Sequence, residues 1–506
     1  MSSLLRLAPV TPWNIGAPAI HGPALTGASA GKPFRYAIPA TGERPMKFTA
    51  ERLPTGLTLH SGTGQITGSV AADGQYRILL KAENRHGRAE KDFDIMIGQG
   101  LALTPPMGWN SWNAWRRWVD DAKVRAAAEN MVSSGLAARG YTYINIDSCW
   151  QGERGGKHHA IQPNRKFPDM PALSEFIHGN GLKFGIYSTP WVCPWGCFKE
   201  EALAEWGGGN LTGCSAGPMD PAYAHEFTKE YGKYVGMEKY EANDVAQWIE
   251  WNVDYLKYDW APTDPVCLER MGRILKNAPR DIVLSICTAA KLADVDACKQ
   301  WANLWRGAKD TQDNWNNLLI TGFYAEENNF LENWRPQVGP GGWYDLDMLA
   351  LGPQFHTQAS TTPCKLTMEE QITHMSYWAL YPSPIFLSCN LANLDDFTLR
   401  LFGNEEIIAV NQDRLGQPAV RLQETRRQAF AASKPQSENR VHARQLADGS
   451  IALGLFNLSD HPDEVAISLG DLEISGSVAV RNLWERQALG KMEEQIRMVV
   501  PAHDTQ

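Results

Sequence analysis

The chain has 506 residues, 43% hydrophobic and 21% charged, a balance that excludes a mainly disordered protein and predicts two to four globular domains. The formal net charge is −9 without a basic block, which argues against binding to nucleic acid or to an anionic membrane surface. No apolar run approaches the ~20 residues of a membrane-spanning helix, and MSSLLRLAPV is too short an apolar start for a signal peptide.

Residues 8–98 are predicted to form an all-β domain. Short runs of alternating apolar and polar residues are separated at regular intervals by Gly, Pro and Asn, which is typical of a β-sandwich. The segment LPTGLTLHSGTGQITGSV resembles Ig-like repeats attached to bacterial surface and carbohydrate-active proteins. Because it lacks convergent acids and histidines, we interpret the domain as a spacer or packing domain, with sugar binding as the alternative.

Residues 101–415 show short apolar runs alternating with amphipathic helical stretches such as 119–140, which has Asp121 near its start and Gly140 at its end. Eight such alternations over about 300 residues predict a (β/α)8 TIM barrel. An open doubly wound sheet is the alternative, but no glycine-rich phosphate loop follows the first strand. The strand candidates are TPPMGWNSW, YTYINID, LKFGIYS, DYLKYDW, IVLSICT, NLWRGAKD, GGWYDLDML and PIFLSCN.

Two further segments complete the predicted architecture. The connection from about 190 to 252 is long enough to lie over the mouth of the barrel, where active sites are built. Residues 418–502 return to short alternating runs and are predicted to form a second antiparallel β-sandwich, with Asp448 and Gly449 in a hairpin turn.

Charged residues recur at the predicted carboxyl ends of the barrel strands, where the active site of this fold lies. A single acid there is usually a helix cap or a solvated residue. Acids at four of eight strand ends instead favour a functional site at the mouth of the barrel. Two convergent carboxylates without a metal cluster are what glycoside hydrolysis needs. Lys257 should share a face with Asp259 and keep it ionised. The residues concerned are Asp147, Lys257, Asp259, Arg306, Asp310, Asp345 and Asp347.

A series of motifs occurs in one order along the chain: TPPMGWNSWNAW, YINIDSCW, KFPDMPALSEFIHGNGLKFGIYS, DYLKYDW, WRGAKDTQDNW, WYDLDML and EIIAVNQDRLGQPA. Together they resemble the α-galactosidase (melibiase) family, glycoside hydrolase family 27, over roughly residues 101–500. The resemblance implies an exo-acting, retaining double displacement without a cofactor or a metal. It implies Asp259 as nucleophile and Asp310 as general acid/base. The implied sugar-binding residues are Trp109, Asp147, Ser148, Tyr187, Lys257, Arg306 and Asp347.

Four residues in three motifs depart from the family's pattern. Ser148 stands where the family usually has a second Asp (DDCW), so one charge-assisted hydrogen bond to the sugar's O4 and O6 hydroxyls is lost. Thr288 and Ala289 replace the family's Glu and Trp near the sugar's O2. Trp260 follows the nucleophile where many relatives have Asn or Gly-Cys, so the family's neighbouring disulfide has no partner there.

These departures leave the catalytic mechanism intact, but they widen the range of sugars that the −1 subsite could accept. A terminal α-D-galactoside is the default, and β-L-arabinopyranose, N-acetylgalactosamine and α-1,6-linked glucose are the alternatives. Two rival functions share the scaffold: a non-catalytic sugar-binding protein and a transglycosylase. The expected partner is an oligosaccharide or polysaccharide with a terminal galactose-like sugar, and the Ig-like domain favours an extracytoplasmic location. In an exported protein, a local disulfide among Cys193 and Cys197 of the CPWGC segment and Cys214 is expected.

Overall fold

The computed structural model describes residues 7–193, 213–223, 234–259, 264–287, 290–326, 330–428 and 435–506. An N-terminal Ig-like β-sandwich, a (β/α)8 barrel and a C-terminal β-sandwich follow one another along the chain, as the sequence predicts. No helix within these ranges is long and apolar enough to cross a membrane. The domain limits 8–98, 101–415 and 418–502 stay predictions.

The strands of the N-terminal sandwich are β1 Ala19–Ile20, β2 Leu25–Ala28, β3 Phe34–Ala37, β4 Ala40–Thr41, β5 Lys47–Glu51, β6 Leu57–Leu59, β7 Gln65–Gly68, β8 Gly74–Asn84 and β9 Gly87–Ile97. A four-stranded sheet (order β2-β9-β8-β5) packs against a three-stranded one (β3-β7-β6), with β1 and β4 paired beside them. Every second residue of β8 faces inward, so Ile78, Leu80 and Ala82 are buried with Phe48 and Phe93.

The barrel consists of eight parallel strands, one in each of the eight predicted segments. They are β10 Met107–Asn110, β11 Tyr143–Asn145, β14 Lys183–Ser188, β17 Tyr255–Asp259, β18 Val283–Cys287, β19 Leu304–Trp305, β20 Trp343–Tyr344 and β23 Ile385–Leu387. The sheet closes because β23 pairs with β10 on one side and is bridged by Leu349 on the other. Their residues are nearly all buried, as expected for a parallel sheet covered by helices.

The helices surround the barrel and begin at side-chain caps. Asp120, Asp169 and Asp264 each accept backbone N–H groups at helix starts, and Thr367 forms a capping box with Glu370. The helices are α1 Trp112–Trp115, α2 Asp121–Ser133, α3 Met170–Gly179, α4 Glu241–Glu250, α5 Pro265–Asn277, α6 Val295–Trp301, α7 Trp315–Thr321, α8 Phe330–Trp334, α9 Met368–Leu380, α10 Asp396–Phe402 and α11 Glu405–Asn411.

Two details of the barrel differ from the predictions. The helix predicted over 119–140 ends at Ser133, because Gly135 adopts a left-handed conformation (φ +80°), and a 3-10 turn at Ala137–Arg139 follows. Three hairpins also lie between barrel elements, in polar segments that carry little strand signal. They are β12 Gln151–Gly155 with β13 Ala160–Pro163, β15 Ser215–Met219 with β16 Gly236–Lys239, and β21 Gln354–Thr357 with β22 Ser360–Thr362.

The register of β17 and β18 divides the barrel interior into layers. Tyr255 lies opposite Val283 in an apolar cluster at the base of the barrel, and Asp259 lies opposite Cys287 four residues further along. Lys257, opposite Ser285, occupies the layer between them. Because side chains alternate along a strand, the charged groups of β17 share one face and rise towards the carboxyl-end mouth.

The C-terminal sandwich is built from β24 Val420–Gln428, β25 Pro435–Gln445, β26 Ile451–Asn457, β27 Asp463–Ser468, β28 Val478–Asn482, β29 Gln487–Met492 and β30 Gln495–Val500. The predicted turn at Asp448 and Gly449 joins β25 to β26, with Gly449 at φ +85°. Buried Arg444 donates hydrogen bonds to the carbonyl oxygens of Ala379 (2.7 Å) and Val410 (2.6 Å), which ties the sandwich to the ends of α9 and α11.

Candidate active site

Asp147 is fixed at the mouth by groups from β10, from β17 and from Ser111 directly after β10. Its Oδ2 accepts hydrogen bonds from Asn110 Nδ2 (2.9 Å) and from Lys257 Nζ (2.8 Å). Its backbone N–H donates to Ser111 Oγ (2.9 Å). The carboxylate is buried and already accepts from three donors, the third being the Ser148 N–H, so its position is set before any ligand binds.

Lys257 stands between two carboxylates. Its Nζ lies 2.8 Å from Asp147 and 4.0 Å from Asp259 Oδ2, and 5.7 Å from the centre of the Tyr187 ring. Burial alone would lower the pKa of Lys257. The negative charge of Asp147, with a further contribution from Asp259, outweighs burial and holds that pKa well above its usual value. Lys257 is therefore a fixed positive charge in the barrel.

Asp259 lies deep in the mouth. Burial raises the pKa of its carboxyl group, while the positive charges of Lys257 and Arg306 and a side-chain hydrogen bond with Cys287 oppose that rise. Burial also raises the pKa of the Cys287 thiol well above its usual value, so this thiol stays protonated and acts as the donor. Asp259 is thus an acid whose charge depends on its neighbours.

Arg306 links two further acids of very different exposure. Its Nη2 lies 2.6 Å from Asp310 Oδ1 and its Nη1 lies 2.6 Å from Asp347 Oδ1. The Asp310 side chain is 73% exposed, whereas that of Asp347 is 5% exposed. Burial would lower the pKa of Arg306, but the negative charges of Asp347, Asp310 and Asp259 together raise it well above its usual value. The guanidinium of Arg306 is held by the buried Asp347 and in turn orients the exposed Asp310.

Asp345 and Asp347 lie together at the end of the seventh barrel strand. The Asp347 backbone adopts a left-handed conformation (φ +82°), and its N–H donates to Asp345 Oδ1 (2.8 Å). Asp347 Oδ2 accepts the Thr311 N–H (2.7 Å), and its carbonyl oxygen accepts Trp378 Nε1 (2.8 Å). Burial and then the charge of Asp347 raise the pKa of Asp345 to about 6. A non-glycine residue at positive φ, held by four groups, is typical of a functional site.

Trp109 and Ser148 line the same region. Trp109 is buried and its Nε1 donates to the Cys389 carbonyl oxygen (2.7 Å). Ser148 is 2% exposed, and its N–H donates to Asp147 Oδ1 (2.8 Å). Its Oγ has no hydrogen-bond partner within the described ranges. A buried hydroxyl without a partner is costly unless a ligand or water supplies one.

The predicted site residues thus fall into two contacting groups joined through Asp259. One contains Asp147, Ser148, Tyr187 and Lys257, and the other contains Arg306, Asp310 and Asp347; Trp109 lies beside the first. Asn110, Thr311 and the contact of Cys287 with Asp259 were not predicted from the sequence, although Asn110 belongs to the motif TPPMGWNSWNAW. The alternation of side chains along a strand predicted the shared face of Lys257 and Asp259, but gave no such placement for Asn110, Thr311 or Cys287.

Other predicted features have mixed outcomes. Thr288, Ala289 and Trp260 lie outside the described residues, as does Cys197. Among the cysteines that the structure describes, no two form a disulfide, so Cys214 does not form the predicted local bridge with another of them. The described part of the chain contains no group of three or more His, Cys, Asp or Glu side chains that could hold a metal ion.

Known proteins match all three parts of the chain. The family model for α-galactosidase A matches residues 104–197 and 219–413, the model for the α-galactosidase C-terminal β-sandwich domain matches 436–506, and an Ig-domain model matches 17–98. α-Galactosidase 2 of Arabidopsis thaliana is 30% identical over 417 residues, 81% of this chain and 90% of the relative. The α-galactosidase of Cyamopsis tetragonoloba is 31% identical over 84% of this chain and 91% of its own length.

A solved structure extends the match to the N-terminal domain. The crystal structure of a Bacteroides fragilis protein assigned to the α-galactosidases/melibiases covers 98% of both chains, with 31% identity and a TM-score of 0.80. The barrel and both sandwiches therefore have counterparts in one group of proteins. This chain belongs to the α-galactosidase family of glycoside hydrolases.

Proposed function

We propose that this enzyme is an exo-acting, retaining α-galactosidase that removes terminal α-D-galactose with Asp259 as nucleophile and Asp310 as general acid/base. The observation that supports these roles best is the contrast between the two acids. Asp259 is buried beside two fixed cations, whereas Asp310 is exposed and is held through one of its oxygens by Arg306. An attacking carboxylate must be ionised and fixed, while a proton donor must reach a leaving group and water.

The reaction proceeds in two displacements. Asp259 attacks the anomeric carbon while Asp310 gives its proton to the glycosidic oxygen of the leaving group. Asp310 then takes a proton from water, and that water attacks the glycosyl-enzyme ester and releases the sugar and the Asp259 carboxylate. This scheme requires carboxyl groups about 5–5.5 Å apart.

The remaining site residues would bind the sugar in the −1 subsite. Asp147, held by Asn110 and Lys257, offers its carboxylate to sugar hydroxyls, and Ser148 offers a buried hydroxyl beside it. Trp109 and Tyr187 supply apolar contacts and Asp347 a second carboxylate. Because a hydroxyl replaces a carboxylate at Ser148, the grip on O4 and O6 is weaker than in relatives with two acids, and β-L-arabinopyranosides, N-acetylgalactosaminides and α-1,6-glucans remain the alternative substrates.

We also propose a binding partner, a cellular location and domain limits for this enzyme. The partner is an oligosaccharide or polysaccharide with a terminal galactose-like sugar, and the location is extracytoplasmic, supported by the appended Ig-like domain. The proposed domain limits are 8–98, 101–415 and 418–502.

Release of p-nitrophenol from a panel of nitrophenyl glycosides tests the substrate. We expect the α-D-galactoside to be cleaved well above the β-L-arabinopyranoside, the α-N-acetylgalactosaminide and the α-D-glucoside. Preference for another sugar would mean that Ser148 and Thr288 changed the −1 subsite. The Asp259→Ala variant should lose turnover and remain folded, and near-full activity in that variant would rule out Asp259 as nucleophile. Sugar binding without cleavage of any substrate would favour the non-catalytic alternative.

A further inference from the structure

A polar cavity lies between the N-terminal sandwich and the base of the barrel. Its volume is about 290 Å3, and it is lined by β2, β3 and the starts of several barrel strands. Since the acids described above follow the opposite, carboxyl ends of those strands, this cavity is separate from the candidate active site. Its charged lining residues are Arg35 from the sandwich and Lys183, Asp254, Arg280 and Asp281 from the barrel.

The two carboxylates of the cavity are already occupied. Asp254 Oδ1 accepts from Arg280 Nη2 (2.6 Å), and its Oδ2 accepts from the Phe184 N–H (2.9 Å) and contacts His178 Nε2 (2.7 Å). Asp281 Oδ2 accepts the Ser29 N–H (2.7 Å), and its Oδ1 pairs with Lys32 Nζ (3.3 Å). Each of the four carboxylate oxygens therefore has a partner other than Arg35.

Arg35 has no hydrogen bond or ion pair with any residue that the structure describes. Burial lowers the pKa of its guanidinium; the charge of Arg280 adds to this effect and Asp254 opposes it, as expected when two like charges share a space of low polarity. Arg280 donates from Nη1 to Asn252 Oδ1 (2.7 Å) and from Nη2 to Asp254, and only its buried Nε has no partner among the described residues. Two guanidinium groups, one from each domain, thus line the cavity, and neither of its carboxylates has an oxygen left for Arg35.

We propose that this cavity binds a small tetrahedral oxyanion, phosphate or sulfate, between Arg35 and Arg280. Guanidinium groups bind such anions through paired N–H donors, and Lys183 adds a third positive charge to the lining. The anion is either a free ion or the ester group of a substituted sugar, because both present the same oxygens. Its binding joins the sandwich to the barrel through charge.

Equilibrium dialysis of the full chain against labelled inorganic phosphate and, separately, sulfate tests the proposal. We expect saturable binding of one anion per chain, weakened about tenfold or more in Arg35→Gln, because a hydrogen bond to a charged group is lost. Arg88→Gln is the matched control: it removes an arginine of the same domain whose side chain is 77% exposed, and binding should not change. Arg35→Lys should give intermediate affinity.

Absence of saturable binding, or equal binding by wild type and Arg35→Gln, would overturn the proposal. Any phosphate or sulfate found in this cavity would then be an adventitious ion only. Unchanged glycosidase activity and an unchanged melting temperature without anion show that Arg35→Gln is folded. Galactose 6-sulfate identifies the source: binding tighter than that of inorganic sulfate indicates a sugar ester, and weaker binding indicates the free ion. None of these measurements depends on the proposed substrate or catalytic residues.

Discussion

Replacement of Lys257 by methionine should move the acid limb of the pH profile to higher pH. Lys257 Nζ lies 4.0 Å from Asp259, and both side chains are largely buried. Two unit charges at this distance interact by about 4 kcal/mol at an effective dielectric constant near 20, or roughly 3 pKa units, which is an upper bound for the shift. Loss of the ammonium raises the pKa of Asp259, and Asp147, now without its lysine, adds repulsion of the same sign.

The assay is kcat/KM against pH on the best nitrophenyl glycoside, because its acid limb reports the ionisation of the free enzyme. We expect the limb to rise by one to three units, on the order of the bound above, with partial recovery of activity at high pH. Lys183→Met is the control, since this lysine of β14 lies at the base of the barrel. A limb that stays in place or moves to lower pH would refute the electrostatic role of Lys257.

Ser148→Asp should raise kcat/KM for the α-galactoside relative to the β-L-arabinopyranoside by about tenfold, because a charge-assisted hydrogen bond is restored; an unchanged ratio would contradict this. Cys287→Ala should shift the acid limb upward by a fraction of a unit, because a donor to Asp259 is lost, while Cys287→Ser should restore it. Asp345→Asn should make the free energy of unfolding less dependent on pH. The pKa of Asp345 is about 6 in the folded protein and lower in the unfolded chain. The free energy of unfolding of the wild type is therefore highest below about pH 4 and falls by on the order of 3 kcal/mol as the pH rises through 6.

Two controls accompany the predictions for Cys287 and Asp345. Cys298→Ala removes a buried thiol from α6, on the outside of the barrel, and should leave the acid limb in place. Urea unfolding of wild type and Asp345→Asn at several pH values isolates one carboxyl group, because all other groups are common to both. Parallel curves for the two proteins would contradict the raised pKa of Asp345.

The eight barrel strands could be predicted from the sequence because each is a short apolar run flanked by helical or turn residues. Such a run is visible in the local amino-acid composition. The polar hairpin of β12 and β13 gave no such signal, since its residues are held by contacts such as that between Arg154 and Asp244, 90 positions apart. In the same way, acids at strand ends were visible in the sequence, but the exposure of Asp310 and the burial of Asp345 depend on which neighbours close over them.

The contact of Arg444 with the ends of α9 and α11 has a consequence for how the enzyme unfolds. Those carbonyl oxygens belong to the last turns of two barrel helices, and a side chain of the C-terminal sandwich provides donors to them. Removal of residues 418–506 would leave these buried helix ends without that partner and uncover the apolar faces beside them. The barrel and the sandwich should therefore melt in a single cooperative transition, and expression of the barrel alone should yield insoluble protein.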